Sequence, residues 1–106
     1  MFKSLEFIVG QKVNMEDVLK TLVAFGFTRA TNVFKEGEFA LRGGVLDVFP
    51  DHFEIPVRLD IDDDIILKII GFDLATSKPV ENHTIVVILP YKKSSLPFSS
   101  DTPLNN

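Results

Sequence analysis

A chain of 106 residues, 45% apolar and 25% charged, is long enough to close one modest core and too apolar to stay disordered. It contains no cysteine, which removes disulfides, thiolate chemistry and the usual ligands of structural zinc. The net charge of −4 comes from fifteen acids against eleven bases, and the bases are scattered singly except for Lys92 and Lys93, so direct binding to nucleic acid is not expected.

In chain order, Leu5 to Val9 reads as a short strand ended by Gly10. Asn14 then suits a helix N-cap, and Met15, Val18, Leu19, Leu22 and Val23 follow at the spacing of one apolar stripe. Glu16 and Lys20 form an i, i+4 pair in the favourable order, and Gly26 suits the left-handed cap that ends a helix. Beyond it the period falls to two: Phe27 to Phe34 reads as a strand or strand-like connector, and Lys35 to Gly37 as a turn. Glu38 to Leu41 resumes an extended segment that Gly43 and Gly44 interrupt, with a β-bulge or close backbone approach expected there. Val45 to Phe49 continues as a strand up to Pro50.

Asp51 to Glu54 reads as a polar loop whose Phe53 is placed to fold back onto the core. The next strand alternates best, with Ile55, Val57, Leu59 and Ile61 on one side and Pro56, Arg58 and Asp60 on the other. Asp62 to Asp64 reads as a hairpin turn into Ile65 to Phe72, with a bulge at Gly71. Asp73 to Asn82 is read as loop, and the β-branched run Thr84 to Leu89 as the last strand, closed by Pro90. Residues 94–106 are mostly Ser, Pro, Asp and Asn and read as a flexible tail or linker after a single domain over 1–93. No apolar run approaches the roughly 20 residues that cross a bilayer, and no leader-like start is visible, so a cytoplasmic location is expected.

Chemistry-bearing patterns are few. Three consecutive aspartates in a turn point in different directions and lack the alternating spacing of a calcium loop. His52 and His83 stand alone, and Gly43-Gly44 precedes a strand where a phosphate loop would precede a helix. No metal, cofactor or catalytic residue is expected. Arg42 and Arg58 differ in kind, because each takes the polar phase of a strand whose other phase is apolar. On neighbouring strands they would share one exposed face, either as surface arginines bridged to Asp47 and Asp60 or as a recognition face whose guanidinium forks grip carboxylates.

The segments VGQKV, VLKTLVAFGFTRATNVFKEGEFALRGGVLDVFP, IPVRLDIDDD and IIGFDLATSKPV resemble the UvrB-interaction-type domain shared by bacterial transcription-repair coupling factor and UvrB. The resemblance runs from about Leu5 to Pro90, and GEFALRGGVLDVFP is closer to the coupling-factor version. It implies an α+β module, an antiparallel sheet with a helix packed on one face. It also implies that the module catalyses nothing and docks UvrA, linking stalled transcription to nucleotide excision repair. The family's partner-binding positions fall on Arg42 in the RG step, on Arg58 in the P-x-R strand and on Asp62, where the family commonly has an aromatic. Asp62 replaces apolar burial with a carboxylate to desolvate. Two readings therefore stand: docking to UvrA, or an autoinhibitory or spacer role against other domains of a parent translocase. A stand-alone relative that no longer binds UvrA belongs with the second.

Overall fold

Asn14 opens the single helix of the described residues, α1 (Met15–Ala24), by accepting a hydrogen bond from the Asp17 amide at 3.1 Å. At the other end Gly26, at φ 97°, donates to the Val23 carbonyl while Phe27 donates to Leu22, the paired bonds of a Schellman cap. Val18 and Leu22 are buried, whereas Val23, the last member of the apolar stripe, is exposed. The structure is a computed structural model that describes residues 4–91, so the tail expected over 94–106 lies outside it.

The rest is mostly strand. Six strands form one sheet in chain order: β2 (Thr28–Arg29), β3 (Glu38–Arg42), β4 (Val45–Val48), β5 (Val57–Asp62), β6 (Ile65–Phe72) and β7 (Pro79–His83). The terminal strands β1 (Leu5–Ile8) and β8 (Ile85–Ile88) pair with each other in a separate antiparallel ribbon. The residues after β1 tie the ribbon to the sheet, since Gly10 donates to Ile66, Ile66 to Gln11 and Val13 to Asp64.

Three expectations change. The sheet is mixed, because β2 runs parallel to β3, with Thr28 opposite Glu38 and Arg29 opposite Phe39. Only two residues of the expected Phe27 to Phe34 strand pair; residues 30–37 then carry the chain back, held by burial of Val33 and by the Glu38 carboxylate, which accepts from the Phe34 and Lys35 amides at 2.8 and 3.2 Å. Eight residues join this two-residue parallel pair, fewer than the dozen or more usual for a parallel connection. Second, Pro79–His83 is a strand inside the segment read as loop, paired to β6 from Ile69–His83 to Phe72–Pro79. Its side chains are polar or exposed, so nothing but backbone pairing marks it.

Third, Gly43-Gly44 is the two-residue turn of the β3–β4 hairpin, with Arg42 opposite Val45, and not a bulge. Close approach is real there: Gly43 sits at φ 61°, and a Cβ on Gly44 would collide with the Ile61 carbonyl oxygen. Asp63 and Asp64 form the equivalent β5–β6 turn at φ 53° and 66°, a conformation Asp tolerates better than most side chains. Register shifts interrupt the β5–β6 pairing at Asp60/Ile61 and the β6–β7 pairing at Gly71/Phe72; the latter falls beside Gly71, but the extra residue is Val80 on β7 and not Gly71 as expected.

One core joins all of this. Phe7 and Ile88 from the ribbon, Val18 and Leu22 from α1, and Leu46 and Leu59 from the sheet belong to a single buried cluster, with Phe53 packed against it. Each fully buried side chain of this size stabilises by roughly 2 kcal/mol. Among the described residues no helix is long and apolar enough to cross a membrane.

Candidate functional site

Alternation along β4 and β5 turns Leu46, Val48, Val57 and Leu59 into the core and leaves Val45, Asp47, Arg58 and Asp60 on the outer face. Asp47 lies directly opposite Arg58 on the neighbouring strand and opposite Ala40 on the other side. Its carboxylate is almost fully buried, at 4% exposure, and a carboxylate so placed needs partners.

It has two. Arg58 grips it bidentately, Nε donating to Oδ1 at 2.8 Å and an Nη to Oδ2 at 2.9 Å. Arg42 donates to the same Oδ2 at 3.1 Å and, through its other Nη, to the Asn32 side-chain oxygen at 2.9 Å. The Arg58 guanidinium also lies over the buried Phe72 ring, 4.3 Å from its centroid, a contact worth about 1 kcal/mol. Hydrogen bonding to Asp47 raises the Arg58 guanidinium above its ordinary value; burial opposes this, and the nearby charges of Asp47 and Asp60 add to it. Arg58 is therefore cationic at any physiological pH.

The two arginines share a face, but not as residues of neighbouring strands: β4 stands between their strands and Asp47 fills the gap. The expected bridge to Asp60 is replaced by convergence on Asp47, while Asp60 acts on Arg58 only through space. The Arg58 side chain is 23% exposed and that of Arg42 is 47% exposed, so Arg58 is built into the face and Arg42 stands on it. Asp62 is exposed at the far end of β5, opposite Ile65. Four residues of strand from Arg58, about 13 Å, separate it from the carboxylate hub.

Around the hub is a hollow of about 190 Å³, lined by Asn32, Phe34, Arg42, Arg58, Phe72 and Leu74 among others. Small-molecule pockets run to roughly 300–1,000 Å³, so this one is sized for a protein side chain or two. Phe34 and Leu74 at its rim were not singled out by sequence, nor was Asn32. Each comes from a loop that only the fold brings to the sheet, and the one available signal was an aromatic in a polar stretch, NVFKEGE. His52 contacts the Val87 carbonyl at 3.2 Å and His83 the Glu81 carboxylate at 3.0 Å, both away from this face. Among the described residues no group of three or more His, Asp or Glu side chains is arranged to hold a metal ion.

Comparison with known proteins identifies a family for this chain. Residues 5–93 match the model of the UvrB interaction domain. The chain is 32% identical over 101 residues to the transcription-repair-coupling factor of Mycobacterium bovis, covering 95% of this chain and 8% of that protein. It is 38% identical over 74 residues to the coupling factor of Staphylococcus aureus, covering 70% and 6%. With UvrABC system protein B of Fervidobacterium nodosum it shares 31% identity over 85 residues, or 80% and 13%. The chain thus corresponds to a small part of each relative's length. It belongs to the UvrB interaction domain family.

Proposed function

We propose that this chain is a non-catalytic docking module for UvrA, presenting Arg42 and Arg58 as in a coupling factor that links stalled transcription to nucleotide excision repair. The observation that carries the reading is the pair of guanidinium groups fixed on one exposed face by a buried carboxylate. Preorganised arginines lose little freedom on binding, and Arg is enriched among the residues that dominate interface energies. The similarity to coupling factors and to a protein of the UvrABC system supports the choice of partner. The module comprises residues 1–93, with α1 packed on the inner face of the sheet; Val18 and Leu22 sharing a cluster with Leu46 and Leu59 support that packing. A standard interface buries about 800 Å² on each partner, which one face of a six-stranded sheet can supply.

Calorimetric titration of the chain with its cognate UvrA tests this. Arg42→Ala and Arg58→Ala should each weaken binding at least tenfold. Wild-type affinity in both variants would remove the proposed face.

A second reading has its own observation. Asp62, on the same strand as Arg58, is an exposed carboxylate where the family commonly has an aromatic, which suits a face covered by another domain of a parent protein. On the docking reading Asp62 weakens the contact with UvrA, and Asp62→Phe should tighten it. Tight binding to the parent's remaining domains, with none to UvrA, would establish the intramolecular role instead.

A further inference from the structure

We infer that Phe34, with Leu74 beside it, is the apolar anchor of this docking face, and that the partner segment it receives carries a carboxylate next to an apolar side chain. This rests on the docking role of Arg42 and Arg58 proposed above and specifies what they dock.

Phe34 is 72% exposed, the most exposed of the large apolar side chains among the described residues. A phenyl ring left in water is costly unless something covers it, and isolated exposure of this degree beside paired cations is the composition of an interface centre. Its backbone is fixed. The amide donates to Glu38 at 2.8 Å, and the preceding Val33 is buried in a small cluster with Ala40 and Phe49 on the outer side of the sheet. The ring thus projects from an anchored turn, with little conformational freedom to lose on binding.

The hollow explains the polar half. Phe34, Leu74, Arg42 and Arg58 line the same 190 Å³ space. Of the five N–H groups on each guanidinium, two are engaged, by Asp47 alone for Arg58 and by Asp47 and Asn32 for Arg42, which leaves three on each among the described residues. Two cations against one carboxylate leave the hub one positive charge in excess, offset only through space by Asp60, which bonds neither arginine. A second carboxylate, brought by the partner, balances that charge and uses the remaining donors, while its apolar neighbour covers Phe34 and Leu74. The anchor stands apart from Asp62, an exposed aspartate at the turn end of β5, and lines the hollow together with Arg42.

The test is titration of the 106-residue chain and its variants with UvrA at low and high salt. Phe34→Ala should weaken binding about tenfold or more, Leu74→Ala by less, and Val23→Ala, an exposed apolar residue on α1, not at all. The thermal midpoint of Phe34→Ala should match the parent, because so exposed a ring contributes little to the core. Binding by the parent and by Phe34→Ala should fall in parallel as salt rises, while Arg42→Ala should lose part of that dependence. Unchanged affinity in Phe34→Ala, alongside loss in the arginine variants, overturns the anchor and leaves the docking role standing. Affinity indifferent to salt overturns the partner carboxylate. No binding by the parent chain overturns both the docking role and this inference.

Discussion

Arg58 and Leu59 are neighbours in sequence and belong to opposite kinds of surface. Leu59 faces inward, fully buried in the cluster that also holds Leu46 and Ile69. Arg58 faces outward onto Asp47 and Phe72. Both faces of the sheet hide some of their side chains, since Ile70 and Phe72 on the outer side are also buried, yet they do so by different means. The inner face is closed by volume, where any apolar set of the right shape serves. The outer face is closed by pairing, where one carboxylate must meet two cations at fixed places. The inner face therefore specifies the fold, and the outer one specifies what the fold presents.

The largest effect that separates them is expected from Leu59→Ala. Leu59 is fully buried, so truncation leaves a cavity as well as lost burial, and the cost should be about 3 kcal/mol, read from the urea midpoint. Binding by the molecules that remain folded should be unchanged. Next in size is Asp47→Asn. It removes the charge and replaces one acceptor oxygen, but both arginines reach water, so the cost should be about 1 to 2 kcal/mol, well below the 3–5 kcal/mol typical of a broken fully buried pair. Affinity for UvrA should fall with it, because the guanidinium groups lose their common anchor. An Asp47→Asn chain as unstable as Leu59→Ala would mean that the outer face holds the fold together as much as the core does.

The same contrast governs how much was legible in the sequence. Inner-face residues announce themselves by alternation, and VRLDID gave β5 its phase directly, as NMEDVLKTLV did for α1 with its Asn14 cap. The ends of the sheet were not legible. In β7 the sequence PVENH carries no alternating apolar set, because an edge strand with exposed side chains is held by its backbone bonds to β6 alone. In β2 the reverse occurred: Val33 and Phe34 extended an apparent strand, although Val33 is buried from a loop and Phe34 is not buried at all. Arg42 and Arg58 could each be assigned to the polar phase of its strand, and to a common face only on the premise that the strands were neighbours, which they are not. That Asp47 would sit between them depends on β4 lying between β3 and β5, a fact of strand order that no local pattern encodes.

Within the outer face a smaller prediction divides its two cations. Arg58→Lys keeps the charge but gives up the two-pronged grip on Asp47 and the planar contact with Phe72, so it should cost about 1 kcal/mol of stability. Double-mutant cycles with Asp47→Asn measure the coupling, and additivity of the two substitutions would show that the bidentate geometry contributes nothing.

The smallest effect belongs to Arg42→Lys. Arg42 makes one bond to Asp47 from a half-exposed position, and Asp47 keeps both oxygens occupied by Arg58 when Arg42 is changed. A lysine retains the charge, and Arg58 keeps the buried carboxylate paired, so the loss of stability should stay below roughly 0.5 kcal/mol. Binding should nonetheless weaken, because an ammonium that bonds Asp47 and Asn32 keeps one N–H for a partner carboxylate where Arg42 keeps three in a planar fork. Arg42→Lys thus separates the two roles of the outer face: a variant that is stable but binds poorly places Arg42 in recognition, and one that loses stability and affinity together makes it a second prop for Asp47.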